Sequence, residues 1–252
     1  MTGKIKDLLK KCKHSKNVLL RLIYRSCLGL LLLFRFFTKA SYRSELYYGF
    51  RYAKEYHQRA SFTLLNRYPD LLAICGQFFE RDKQLRILSF GCSTGEEVES
   101  LSKHFPKAHI TGTDINKRSI RIARSKYGSK TKRFMHSLSP RFEEAGSFDL
   151  IFCCAVFQST TNRTSQNNQV SDWPFDQFET SLRMLDKKLS KGGLLVIDHC
   201  DFRFIDTAGF SKYQALDVAG NQIRRDRPTY DKHNQKISDF SENDRVFQKI
   251  AN

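Results

Sequence analysis

From Leu85 onward the chain alternates short, wholly apolar runs with longer amphipathic ones. LRILSF is followed by an amphipathic stretch from about Gly95 to His104, and HITGTDI leads into NKRSIRIARSKYG. A shorter run near RFMHS precedes a polar loop, FDLIFCCAVF is continuously apolar, and PFDQFETSLRMLDKKL is amphipathic up to SKGG, with LLVIDHC behind it. Strands that are apolar along their whole length are covered on both faces, so the alternation predicts an α/β fold with a doubly wound, mostly parallel sheet. Lys187, Lys188 and Lys191 ahead of Gly192 read as a helix stop. After Cys200 a polar, aromatic-bearing stretch runs to DRVFQKI, which reads as a closing strand.

Upstream the pattern changes. Residues 41–84 read as a lead-in of two helices rich in Tyr and Arg, packed on the flank of the domain that fills 85–252. Residues 1–40 form a basic arm containing NVLLRLIYRSCLGLLLLFRFFTK, Asn17 to Lys39. Its longest uncharged run, Ser26 to Phe34, is well short of the roughly 20 apolar residues of a spanning helix. No small-residue cleavage site follows it, which argues against a secretory signal. On a helical wheel Arg21, Arg25, Arg35 and Lys39 share an arc of roughly 80° while the remaining surface is mostly apolar. That narrow stripe suits a helix lying in an anionic membrane interface with its basic side chains at headgroup level. A helix packed on the domain and an organelle targeting segment stay open beside that reading.

Charge follows the same division. Of the net +17, residues 1–59 carry +11, from 14 Lys/Arg against Asp7, Glu45 and Glu55. A basic partner surface, for nucleic acid or for membrane, therefore belongs to the arm, and nucleic acid is the less favoured of the two. The seven cysteines, at 12, 27, 75, 92, 153, 154 and 200, include no CxxC pair and no zinc-spaced Cys/His cluster. A reduced, cytoplasmic chain without a metal is expected, peripheral on the membrane if the arm docks there. Cys153 and Cys154 are adjacent in a strand, so they should point to opposite faces as two small buried side chains.

The chemistry starts at RILSFGCSTGEE, Arg86 to Glu97, where a strand runs into a glycine-punctuated turn. A phosphate-binding loop needs Lys-Ser/Thr after its last glycine, and here Glu96 and Glu97 follow Gly95. A dinucleotide turn needs a middle glycine to admit the pyrophosphate, and Gly91-Cys92-Ser93-Thr94-Gly95 has none. S-adenosylmethionine carries no phosphate: a carboxylate beside the turn can pair with its ammonium, and backbone N–H groups can receive its carboxylate. Asp114, at the end of the next strand in TGTDIN, stands 23 residues after Gly91, close to the offset at which an acid meets ribose hydroxyls.

With these motifs, residues 85–199 resemble the class I S-adenosylmethionine-dependent methyltransferases. The resemblance implies a Rossmann-like sheet of seven strands and S-adenosylmethionine as cofactor. It also implies that Phe90, Gly91, Cys92, Ser93 and Gly95 surround the methionine end, that Asp114 holds the ribose, and that Ile115 covers the adenine flanked by Ser137 or Leu138. Cys154 closes the site from the fourth strand. Members often carry an acid where Ser89 stands, so Glu96 is expected to take over as partner of the ammonium. CSTGEE, TDIN and FDLIFC look most like the chemotaxis-receptor glutamate methyltransferases, but residues 128–147 leave no room for their small β-subdomain, and Cys154-Ala155 replaces their Arg-Asn.

The acceptor is less legible. CCAVFQ lacks both the acid-or-Asn-Pro-Pro-aromatic sequence of nucleic-acid amino-methyltransferases and the Pro-Cys of cytosine-C5 enzymes. His199, at the C-terminal end of LLVIDH, is the expected catalytic base, with Asp198 and His136 as alternatives and Tyr230 and Asp231 as further candidates over the pocket. Small molecules or lipid-associated metabolites are the expected acceptors. A protein carboxylate and a non-catalytic binding module docked to membrane or RNA stand as rivals.

Overall fold

The structure, a computed structural model, describes residues 11–13, 15–55, 57–58, 62–80, 82–164, 168–170 and 173–251. The sequence readings that fall on Lys4, Lys6, Asp7, Lys10 and Arg59 lie outside the described residues. By compactness the chain divides into two units, Met1–Tyr47 and Tyr48–Asn252.

In the first unit, helix α1 spans Val18–Thr38, capped at its start by Asn17, whose side chain accepts the Leu19 N–H. It contains no acid in its first turn, and none of its residues is buried. Among the described residues no helix is long and apolar enough to cross a membrane. Helix α2, Ala40–Arg51, follows across the division between the units.

The second unit adds α3 (Pro69–Phe78), β1 (Arg86–Phe90), α4 (Glu96–His104), β2 (His109–Asp114), α5 (Lys117–Tyr127), β3 (Lys132–His136), α6 (Pro140–Glu143) and β4 (Phe148–Cys154). It continues with α7 (Thr160–Thr164), α8 (Phe175–Asp186), β5 (Leu189–Asp198), β6 (Tyr213–Ala215), β7 (Ile223–Tyr230), β8 (Lys236–Asn243) and β9 (Val246–Lys249). Seven strands form one sheet in the order β3-β2-β1-β4-β5-β9-β6, with β9 antiparallel to both neighbours and the other pairings parallel. Period-two alternation sorts the strands between two cores. Ile87, Leu150, Phe152 and Val196 face a cluster with α3, α4 and α5, whereas Leu88, Ile151, Cys153 and Leu195 face one with α8.

Two details depart from the pattern-based reading. The helix stop is not at SKGG: α8 ends at Asp186, and β5 already contains Ser190 to Gly193, with the register against β4 shifting between Phe148 and Leu150. The stretch after Cys200 also holds a separate antiparallel hairpin, β7–β8. Its inward face carries Arg225, Arg227 and Thr229 instead of apolar residues, so hydrophobic periodicity could not reveal it. The closing strand is β9, as expected from DRVFQKI. The chain order reverses beside β1, whose neighbours are β2 and β4, and a cleft opens at the carboxyl ends of strands at such a switch point.

Candidate functional site

The turn after β1 is built on backbone that favours glycine. Gly91 has φ +78° and Gly95 φ +96°. The N–H groups of Gly91 and Cys92 both donate to the Thr113 carbonyl at 2.8 Å, and Gly95 N–H donates to the Cys92 carbonyl at 3.0 Å. Ser93 N–H donates to Asp114 Oδ2 at 2.9 Å, and Asn116 N–H to Asp114 Oδ1 at 2.7 Å. The turn is thus tied to β2, and the N–H groups of Gly91, Cys92, Ser93 and Gly95 are already used within the protein. Each Asp114 oxygen keeps further accepting capacity. Burial pushes the Asp114 carboxyl up to about 6, against the lowering effect of the Asn116 and Ser93 N–H groups.

A cavity of about 230 Å³ opens over this turn, at the carboxyl ends of β1, β2 and β4. Phe90, Gly91, Cys92, Ser93, Asp114, Ile115, Ser137 and Cys154 line it, as the sequence led us to expect. Three others do not line it. Gly95 turns its back to the cavity: a Cβ there would lie 2.9 Å from Tyr127 and 3.1 Å from Phe134. Leu138 is an exposed residue beyond Ser137. Glu96 faces away, accepting a hydrogen bond from Thr94 Oγ1 at 2.6 Å and one from Lys126 Nζ at 2.9 Å.

Of the two adjacent glutamates, the one that lines the cavity is Glu97. Ser89 Oγ donates to Glu97 Oε1 at 2.7 Å, so a carboxylate from the first turn of α4 stands beside the strand position at which Ser89 replaces an acid. Burial raises the Glu97 carboxyl to about 7, against the Ser89 hydrogen bond and the Arg67 charge, which lower it. Arg67 and Tyr68, from the segment before α3, line the same cavity. The Tyr68 hydroxyl is buried and has no hydrogen-bond partner, and the Gln58 Oε1, also at the cavity, is likewise unpartnered. Sequence reading missed this segment because its residues look like ordinary amphipathic packing. The signal was available for Glu97 alone, one position from the expected acid.

On the β4 side the chain leaves the strand at Ala155, φ +58°, and carries Val156 and Gln158 to the cavity. His57 packs there against Trp173, with ring centroids 3.8 Å apart, and burial drives its imidazole down to about 3, so it is neutral at physiological pH. Gln158 Oε1 accepts from the buried Arg227 guanidinium at 2.7 Å. Arg227 in turn lies 3.5 Å from the fully buried Asp201, which also accepts the Ser159 N–H at 2.7 Å. Cys153 and Cys154 belong to opposite cores, and burial raises both thiols well above their ordinary range.

The histidine expected to act as base sits elsewhere. His199, with φ +53°, stacks edge-on against Tyr68 and lines a separate small recess with Arg225 and Arg245. Its Nδ1 lies 3.3 Å from Asp198 Oδ2. Asp198 itself is a clamp, paired with Arg225 at 2.8 Å and Arg245 at 3.6 Å. Burial alone would raise its carboxyl, but His199 and Arg225 bring it down to about 2. His136 ends β3 away from the cavity, Tyr230 is buried with its hydroxyl on the Asn162 carbonyl at 2.9 Å, and Asp231 closes the β7–β8 turn through the His233 and Gln235 N–H groups. Among the described residues no group of three His, Cys, Asp or Glu side chains is placed to hold a metal ion.

Residues 88–195 match the family model described as a methyltransferase domain. The chain is 29% identical over 157 residues to the malonyl-[acyl-carrier protein] O-methyltransferase of Bacillus cereus, covering 62% of this chain and 50% of that protein. It is 34% identical over 88 residues to the Bacillus anthracis protein of the same name, covering 35% and 33%. The chain thus spans half or less of the length of these curated relatives. Among solved structures it is similar to the YcgJ protein of Bacillus subtilis, at 15% identity and TM-score 0.44, covering 73% of this chain and 99% of that one. It is also similar to the plantazolicin methyltransferase BpumL in complex with SAH, at 19% identity and TM-score 0.38, covering 77% and 60%.

Proposed function

We propose, for a chain whose residues 88–195 match a methyltransferase domain, that it is a class I S-adenosylmethionine-dependent methyltransferase and moves the donor's methyl group to a small acceptor of the metabolite, lipid-linked or carrier-linked kind. The observation that carries this reading is the distribution of polar groups over one cavity. Glu97, Arg67 and the unpartnered Tyr68 hydroxyl stand on one part of its wall, and Asp114 with two accepting oxygens stands on another. That is the complement of an amino acid's ammonium and carboxylate joined to a ribose diol, and it contains no cradle for phosphate. When bound, S-adenosylmethionine would supply an electrophilic methyl on a sulfonium. Glu97 would accept from its ammonium, Arg67 and Tyr68 would donate to its carboxylate, Asp114 would accept from its ribose, and Ile115 with Ser137 would flank the base.

The residues around the cavity act by holding two reactants in line and by excluding water. The names of the curated relatives, which methylate a malonyl group on a carrier protein, support an acceptor of carrier-linked kind. The test is direct: calorimetry should show S-adenosylmethionine and S-adenosylhomocysteine binding and NAD not binding, and labelled methyl should pass into the metabolite fraction of a cell extract. Absence of binding by the folded protein would overturn the proposal.

The arm supports a second element of the reading, attachment to an anionic membrane surface. Helix α1 carries exposed Leu22, Ile23, Leu30, Leu33, Phe34 and Phe37 together with the stripe of Arg21, Arg25 and Arg35, and it holds no acid. An apolar helix with one basic stripe suits an interface, where its basic side chains reach headgroup phosphates.

A further inference from the structure

The two donors on the cavity wall, Arg67 and Tyr68, immediately precede α3, and Leu72 within α3 lines the same cavity. Local contacts do little to aim them. Arg67 Nη1 donates to the Phe62 carbonyl at 2.9 Å, and its guanidinium lies over the Phe62 and Tyr68 rings, all within one short segment. The Tyr68 hydroxyl has no partner to orient it. The segment is tied to the rest of the domain by the Asn66 N–H, which donates to Ser100 Oγ on α4 at 2.8 Å, and by Asp70. Asp70 stands in the first turn of α3, and its Oδ2 lies 2.6 Å from Arg245 Nη1.

Arg245, just before β9, is a fixed post. Its side chain is 2% exposed, against 51% for Asp70. Its Nε donates to the Asn221 carbonyl at 3.1 Å and its Nη2 to the Gly220 carbonyl, while its backbone N–H donates to Asn221 Oδ1 at 3.0 Å. Nη1 has no hydrogen-bond partner, and its charge is balanced by Asp70 and by Asp198, 3.6 Å away. Neither Asp70 nor Arg245 lines the cavity.

We infer that Asp70 and Arg245 are positioning residues for the cofactor's amino-acid end: their pair fixes the start of α3 and so aims Arg67 and Tyr68 at the ligand carboxylate. The inference rests on the methyltransferase reading above and extends it to two residues outside the cavity. Two features favour positioning over plain stabilisation. A half-exposed carboxylate contributes little to stability by itself, and Arg245 is already held by Gly220, Asn221 and Asp198 without it. The lever is also short, since Asp70 follows Tyr68 by two residues and Arg67 by three. Donors that are not aimed beforehand must be ordered when the ligand arrives, at the expense of affinity.

The experiment uses the full chain and two probes, S-adenosylhomocysteine and 5′-methylthioadenosine, which keeps adenine, ribose and sulfur but lacks the amino acid. Asp70 is the side to substitute, because loss of the buried Arg245 would disturb the fold. Calorimetry on Asp70→Ala should show S-adenosylhomocysteine weakened about tenfold, the scale of one charge-assisted hydrogen bond to the ligand, with 5′-methylthioadenosine affinity unchanged. Asp70→Glu, which keeps the charge, should recover most of the loss, and Asp70→Asn should fall between. In an Arg67→Ala/Tyr68→Phe background Asp70→Ala should cost little more, because the groups it acts through are gone. Equal weakening of both probes would show a merely structural role and overturn the proposal. So would no weakening of either, or full additivity with the Arg67→Ala/Tyr68→Phe loss. Failure of the unsubstituted protein to bind S-adenosylhomocysteine would instead remove the reading on which the proposal rests.

Discussion

Ser89 and Glu97 lie eight residues apart, on β1 and in the first turn of α4, and meet through a hydrogen bond of 2.7 Å from Ser89 Oγ to Glu97 Oε1. The turn between them brings the helix acid back over the strand end, so the cavity recovers a carboxylate that the strand itself lacks. The cost is a buried carboxyl raised to about 7.

That cost makes Glu97 testable by pH. Its folded value lies above the ordinary 4.5. Below that value the group is protonated folded or unfolded. Between it and about 7 the folded form keeps a proton that the unfolded form loses, so the ligand-free protein should lose stability as pH rises through this window and level off above it. An ammonium partner selects the carboxylate, so S-adenosylhomocysteine affinity should rise over the same window. Glu97→Gln should stabilise the ligand-free protein at pH 8, by up to about 3 kcal/mol, and weaken the ligand. Denaturant melts and calorimetry at several pH values check both signs.

Asp114 has a double duty, accepting two N–H groups of its own loop and facing the cavity. Asp114→Ala should weaken S-adenosylmethionine binding by roughly 1.5–3 kcal/mol, as expected for lost charge-assisted hydrogen bonds. Unchanged affinity in a folded Asp114→Ala protein, measured by calorimetry, would remove the ribose assignment.

The two glycines of the turn should fail differently. Gly91→Val demands a left-handed backbone and drives a Cβ to 2.5 Å from Val156 at the cavity wall, so ligand affinity should fall most. Gly95→Ala pushes into Tyr127 and Phe134 behind the turn and should cost stability first, about 1–3 kcal/mol. Thermal unfolding with and without S-adenosylhomocysteine separates the two.

Asp198 joins β5 to Arg225 on β7 and to Arg245 just before β9. Asp198→Ala removes the carboxylate shared by Arg225 and Arg245, of which Arg245 keeps Asp70 at 2.6 Å and Arg225 is partly exposed, and should destabilise the protein by about 1–3 kcal/mol. His199→Ala, outside the cavity, should leave S-adenosylhomocysteine affinity intact. Equilibrium unfolding and calorimetry on the two variants decide whether the end of β5 is a clamp or part of the chemistry.

Attachment through α1 should show as co-sedimentation of the full chain with phosphatidylglycerol vesicles and much less with phosphatidylcholine ones. Each basic residue near such a surface contributes about 1 kcal/mol, so replacing Arg21, Arg25 and Arg35 with Gln should release most of the protein, and raised salt should do the same. Binding that resists salt and yields only to detergent would contradict an interfacial helix.

Local pattern was enough wherever an element announces itself through its own residues. The apolar runs fixed β1, β2, β4 and β5 because a strand covered on both faces can tolerate little else, and the glycine turn marked where α4 begins. The same local logic singled out the glycine turn and Asp114, which line one cavity, since both lie within one strand–turn–helix–strand unit. Tertiary structure decided what depends on partners distant in sequence. Glu96 and Glu97 are indistinguishable as letters, and only the helical rotation of 100° between them sends one to Lys126 and the other to Ser89. Hairpin β7–β8 has a buried face of arginines that makes sense only beside Asp198 and Asp201, and Gln158 is oriented only with Arg227 behind it. A buried arginine is stable where the fold brings it a counter-charge, and that pairing across the chain is not written in any single stretch of sequence.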